Sequence, residues 1–335
     1  MPNMICNILR LLISAVIAIH LAGCEKNTSV LDYHAAKQEV QLLNNLLVQT
    51  LPIEQNPTFP FSESYLHKRH EIYQHIDESA LTKLQRDELD YLKIQQRYPA
   101  RYFPWPAHVN VLDNALNQSV NDKALASWIS GVVKRLEAAK ESNLYLSRIE
   151  LDKLKGYLSN QPVGNVLMEY LRDYKPRSGI GLYQLPNGKE WYQSKLNFYY
   201  GEPVAPNVLL NQVQYALSQD NAKPAVVDSF DIRGPLALKI LTQHCEPVEG
   251  LSWLDGYVNV PATVAQCQLK LAPQRQRMLL TLMEIDIGIH YQGWSYKQAM
   301  VTLQTRLELT DEQASNFVEN VALHPASVLV FLSIL

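Results

Sequence analysis

Leu125, Trp128, Ile129, Val132 and Leu136 follow one another at intervals of three, one, three and four residues, and that stripe constrains the fold more than any other feature of the chain. At about 100° per residue such positions share one face of an α-helix, whereas a strand would throw them alternately to two faces. Helical spacing recurs at Leu43, Leu46 and Leu47, and at Leu144, Leu151, Leu154 and Leu158. Ser295 with Gln298 and Thr310 with Gln313 mark later helix starts, because each pair of side chains can cover first-turn amides that lack a helical partner. Breaks are fewer. LPIEQNPTFPF at 51–61 and YPARYFPWPAH at 98–108 each carry three prolines and are expected to be ordered loops. Pro186-Asn187-Gly188 predicts a tight turn, which could close a short hairpin around GIGLYQLPNG. The fold class expected is mainly α: a multilayer helical globule with at most that hairpin, an N-terminal helical region at 24–175 and a C-terminal one at 176–335.

The stretch HKRHEIYQH at 67–75 approximates a zinc-protease signature without meeting it. In His-Glu-x-x-His the two histidines stand four apart on one helix face and converge on a metal. Here the second histidine is five residues from His70, a step that turns it roughly 140° around the helix. His67, Glu71 and His75 at i, i+4 and i+8 could still form a stripe of ligands. Their neighbours argue for a solvated polar face instead: Tyr65, Leu66, Ile72, Tyr73 and Ile76 supply the apolar side of the same helix.

The first 23 residues read as a secretory signal. Arg10 precedes an apolar run from Leu11 to Leu21 that is too short to span a bilayer, which needs about 20 residues. His20 is an atypical member of that run. Leu21-Ala22-Gly23-Cys24 resembles the lipobox of bacterial lipoproteins, in which the cysteine is acylated and becomes the first residue of the mature chain. The resemblance implies lipidation at Cys24 and a membrane partner through the lipid anchor. Glu25 in the next position, rather than Asp, implies an outer-membrane location facing the periplasm.

The formal charge is −3, and loss of Arg10 with the leader makes it one unit more negative. A mildly acidic chain without a Lys/Arg block argues against nucleic acid as a partner. Cys245 and Cys267 remain beside the lipidated cysteine, and an oxidising envelope would permit them to pair or to stay as quiet thiols. Cys245 beside His244 lacks an orienting third group, so nucleophilic chemistry there is not indicated.

Three segments carry a family resemblance: GLYQLPNGKEWYQSKLNFYYGEPVAPNVLLNQV at 181–213, MEIDIGIHYQGWSYKQAM at 283–300 and FVENVALHPASVL at 317–329. In order they resemble the bacterial domain of unknown function 885 family, helical relatives of gluzincin-type zinc peptidases. The resemblance implies a metallopeptidase-like scaffold in the C-terminal half. That family's chemistry sits in a His-Glu-x-x-Pro-Gly-His-His motif and a later Glu-Gly-Trp motif, since zinc needs imidazole and carboxylate ligands and a carboxylate to take the proton of bound water. The counterparts here are FDIRGPLA, with Phe230 and Asp231 for His-Glu and Leu236 and Ala237 for the histidine pair, and Asp255-Gly256-Tyr257. Asn320-Val321 and Phe331-Leu332 likewise stand where the family has Arg-Tyr and Tyr-Lys pairs. No metal site and no cofactor is therefore expected.

Asp286 and His290, four apart on one helix, could hydrogen-bond, which would raise the imidazole pKa. With Trp294 they are candidates to line a cleft, or they fix the helix before Gly293 and the Ser295 cap. The reading is a lipid-anchored envelope protein with a degenerate, non-catalytic scaffold that binds or scaffolds a peptide or an envelope protein. The alternative is a metal-dependent peptidase with a relocated site, built on His67, Glu71 and His75 or on Asp286 and His290.

Overall fold

The computed structural model describes residues 30–48, 57–102, 107–220, 236, 240, 271–332 and 335. Helices dominate: α1 (Tyr33–Leu43), α2 (Asn45–Val48), α3 (Glu63–Gln74), α4 (Lys83–Arg97), α5 (Pro99–Tyr102), α6 (Ala107–Asn117), α7 (Asp122–Glu141), α8 (Arg148–Leu158) and α9 (Asn165–Arg172). There follow α10 (Gly188–Tyr200), α11 (Pro206–Gln219), α12 (Pro273–Ile287), α13 (Tyr296–Leu307) and α14 (Asp311–Leu323). Among the described residues β pairing is confined to two isolated bridges, Leu31 with Ile76 and Ser147 with Arg177. No helix there is long and apolar enough to cross a membrane.

Local chemistry sets the helix starts. The Ser295–Gln298 and Thr310–Gln313 capping boxes form with both reciprocal bonds, and Thr82–Gln85 and Ser147–Glu150 build the same device ahead of α4 and α8. Pro206 and Pro273 open α11 and α12, where a missing N–H costs nothing. The apolar stripe of α7 faces inward as its spacing requires, with Leu125, Trp128, Ile129 and Val132 buried. Leu144 precedes its helix, because Asn143 takes a left-handed conformation (φ 58°) and α8 starts only at Arg148.

Two expectations fail. GIGLYQLPNG makes no hairpin: Leu182–Gln184 is a 3-10 turn, Asn187 turns left-handed (φ 51°), and Gly188 enters α10 at once, leaving no returning strand. Within 98–108, Pro99–Tyr102 is a helical turn rather than loop, proline being well placed at its first position.

Apolar packing gathers around two centres. One joins α2 and α6 to α9, through residues such as Leu46, Leu112, Trp128, Leu151 and Leu171. The other joins faces of α1, α3 and α4 to the C-terminal helices. Its axis is α12, in which every residue from Met278 to Ile287 is buried. A helix buried on all sides must satisfy its polar groups internally, and α12 carries Thr281, Glu284 and Asp286. Past Ile287 it widens into a π turn, Gly288–Gln292, closed when the Trp294 amide donates to the Gly288 carbonyl at 2.8 Å.

Candidate functional site

Burial decides what the polar residues of α12 can do. Thr281 returns its hydroxyl to the Arg277 carbonyl, and Glu284 accepts from Arg306 at 2.9 Å and Gln214 at 3.1 Å. Asp286 has no solvent exposure. Its Oδ1 accepts from the Tyr192 hydroxyl at 2.6 Å and its Oδ2 from the Ala326 amide at 2.9 Å. Ala326 itself is left-handed (φ 66°), a conformation costly for a residue with a Cβ. Burial pushes the Asp286 carboxyl up to about 7, against the opposing pull of the two donors and of the Lys195 charge.

His290 is equally buried but bonds elsewhere. Its Nδ1 accepts from the Leu182 amide at 3.1 Å, so Nε2, 3.0 Å from the Val321 carbonyl, must carry the proton. The ring is a neutral brace between the 3-10 turn and α14. Burial pushes it down to about 3, helped by the Arg177 and Lys195 charges. The expected Asp286–His290 bond and raised imidazole pKa are thus replaced by separate partners and a lowered pKa, because neighbouring elements offer each side chain better-placed groups. Tyr192 links the two: its ring stacks on His290 with centroids 5.7 Å apart. His324, also buried, is pushed down to about 3 by burial and Lys195.

Arg177 draws the chain toward this cluster. Its guanidinium donates to the carbonyls of Tyr145, Gly179 and Gly181 and approaches Glu150 at 3.4 Å. Gly181 then lies against π-turn backbone: a Cβ there would stand 2.0 Å from the Ile289 carbonyl oxygen. Trp294 is partly exposed, and its ring covers Gly288, where a Cβ would sit 2.4 Å away.

The histidines of α3 lie outward. His67 Nδ1 is 3.4 Å from Glu71, with side chains 73% and 54% exposed, and His75 ends the helix as its C-cap. The inward face holds a residue not singled out in the sequence. Arg69 is fully buried, donating to the Tyr73 hydroxyl at 2.6 Å and the Tyr65 hydroxyl at 3.2 Å, and Tyr65 donates in turn to Asn44. Its place four residues from each tyrosine on the apolar stripe was the available signal. Among the described residues no group of three or more His, Cys, Asp or Glu is placed to hold a metal ion. Cys24, Cys245 and Cys267, His244, Phe230, Asp231, Ala237 and the 255–257 segment lie outside the described residues.

A cavity of about 390 Å³ opens between α4 and α10. Tyr91 and Phe198 form its floor, stacked with centroids 4.2 Å apart and planes 10° from parallel. Leu84, Ile94 and Pro203 add apolar wall. Glu88 is buried at the side and accepts from the Tyr33 hydroxyl. Neither Asp286 nor His290 borders this cavity. Scans against protein families, curated proteins and solved structures return no match for this chain.

Proposed function

We propose that this chain is a lipid-anchored envelope protein, held by Cys24 at the outer membrane and facing the periplasm, that binds or scaffolds a protein segment and performs no metal-dependent hydrolysis. The leader ending in Leu21-Ala22-Gly23-Cys24 supports the anchor. The segments at 181–213, 283–300 and 317–329, with Phe230, Asp231, Leu236 and Ala237 in place of metal-binding residues, support descent from a helical metallopeptidase-like scaffold.

One observation carries the binding reading. The polar residues of the central helix that could do chemistry are sealed and committed to the fold, with both Asp286 oxygens and both His290 nitrogens bonded, whereas the α4–α10 cavity is open and apolar-floored. A general base must reach the proton it abstracts, and these groups cannot. The cavity falls in the size range of small binding clefts, about 300–1,000 Å³. Elemental analysis of the purified full chain, together with a peptidase assay supplemented with zinc, tests the reading. Substoichiometric metal and no turnover are expected, and one tightly held zinc per chain with hydrolysis would overturn it.

A further inference from the structure

The α4–α10 cavity has a chemical bias that names its occupant more closely. Its floor is the Tyr91–Phe198 stack, and its mouth carries Leu84, which is 46% exposed despite being apolar. Around that apolar surface stand Asp87, Glu88, Asp90 and Glu202, against a single lining cation, Lys83. Lys83 and Asp87 pair with each other at 2.6 Å, one turn apart on the same helix, so the excess negative charge of the lining comes from Glu88, Asp90 and Glu202, of which Asp90 and Glu202 are exposed. Asp90 and Glu202, both exposed, line the cavity from two different elements, α4 and the turn after α10, so a ligand in it has a carboxylate within the lining of each.

Apolar floor and acidic rim together select a particular chemistry. A neutral apolar ligand would leave the rim carboxylates facing it without gain, and a hydrophilic cation would leave the aromatic floor unused. A lysine or arginine beside a leucine-type side chain satisfies both, since the leucine and the alkyl stem cover apolar surface while the charge reaches the carboxylates. We infer that the cavity docks a basic, amphipathic protein segment, an alternation of Lys or Arg with large apolar residues. This deepens the binding role proposed above and rests on it. The partner is a protein segment rather than a small polyamine, because the floor rewards apolar side chains that a polyamine lacks.

The test uses the full chain in a non-ionic detergent and three fluorescein-labelled octapeptides followed by anisotropy: alternating Lys/Leu, alternating Glu/Leu, and alternating Lys/Ser. The Lys/Leu peptide is expected to bind at least about tenfold more tightly than either other, and less tightly as salt rises. Asp90→Lys combined with Glu202→Lys, two exposed positions whose change leaves the core untouched, is expected to weaken Lys/Leu binding about tenfold or more and to let the Glu/Leu peptide bind instead. Phe198→Ala should weaken Lys/Leu while leaving the weak Lys/Ser signal in place. Equal binding of Lys/Leu and Glu/Leu, insensitive to the double substitution, would overturn the basic-segment assignment while leaving a binding cleft. Spermidine displacing Lys/Leu at equal concentration would assign the cavity to small cations and overturn the segment. No binding by any of the three peptides would sink this assignment, while the metal and turnover measurements judge the non-catalytic reading separately.

Discussion

The Tyr192 hydroxyl donates to Asp286 Oδ1 at 2.6 Å, joining α10 to the last turn of α12, at the end of its buried stretch from Met278 to Ile287. The pair is mutually dependent. Burial drives the phenol well above its ordinary range, and the adjacent carboxyl adds to that shift, so the phenol remains a donor at all ordinary pH values. Tyr192→Phe deletes the donor without emptying the ring's place on His290. Because the acceptor is a buried carboxyl, the loss is expected to cost about 1.5–3 kcal/mol and to push Asp286 higher still. Urea unfolding of the variant against the parent chain measures the cost.

Stability should depend on pH in a way the buried cluster dictates. Unfolded, Asp286 titrates near 3.8 and His290 and His324 near 6.5, whereas folded they sit at about 7, about 3 and about 3. From about pH 4 to 6.5 the folded cluster therefore holds one proton, on Asp286, and the unfolded chain holds two, on the imidazoles. Stability then rises with pH by ~1.4 kcal/mol per unit, because the unfolded state binds the extra proton. Each depressed imidazole contributes stability that is present above 6.5 and lost as pH falls, and the raised carboxyl contributes stability lost as pH climbs to about 7. Asp286→Asn should double the slope, and His290→Gln should flatten it. Urea midpoints at pH 4.5, 5.5 and 6.5 give the three slopes, and identical slopes would refute the assignment.

Periodicity and capping made the helices legible, because both are local. The α7 stripe and the Ser295 and Thr310 boxes are set by residues within a turn or two of each other, and Thr82–Gln85 and Ser147–Glu150 obey the same rule and were equally readable. Spacing also placed Asp286 and His290 on one helix. It could not reveal that Ala326, forty residues on, and Leu182, 108 residues back, would claim them, since those partners are brought by tertiary packing. The turn at Pro186-Asn187 was readable, but its outcome depended on whether a strand or a helix followed, and Gly188 leads directly into α10. The α4–α10 cavity was illegible for the same reason: Tyr91 and Phe198 are more than a hundred residues apart and meet only in the fold.

His67 and Glu71 should matter little. Their contact is an i, i+4 pair on the outward face of α3 with both side chains more than half exposed, a setting in which water and salt screen most of the attraction. His67→Ala is expected to change stability by less than about 0.5 kcal/mol. The contrasting substitution is Arg69→Ala two residues on, which removes a buried guanidinium from the Tyr65 and Tyr73 hydroxyls and should cost about 3 kcal/mol or more. Thermal unfolding of the two variants distinguishes a metal-type histidine face from an inward arginine anchor.

Glycine substitutions separate close approach from helix propensity. At Gly181 the backbone is extended (φ −99°), so any residue could adopt it, yet a Cβ would lie 2.0 Å from the Ile289 carbonyl oxygen. Neither the oxygen nor Gly181, whose own carbonyl receives Arg177, can retreat without disturbing the His290 brace. Gly181→Ala is expected to destabilise by about 3 kcal/mol, the upper part of the range for overpacking a tight site. Gly156 stands in the last turn of α8, exposed, and an added methyl would meet nothing within 4 Å. Gly156→Ala should therefore stabilise by about 0.5–1 kcal/mol, because the unfolded chain loses backbone freedom and the helix gains a better former. Opposite shifts in the two urea midpoints are the expected result. A neutral Gly181→Ala would mean that the 3-10 turn and the π turn can part, and with them the contact that fixes the neutral tautomer of His290.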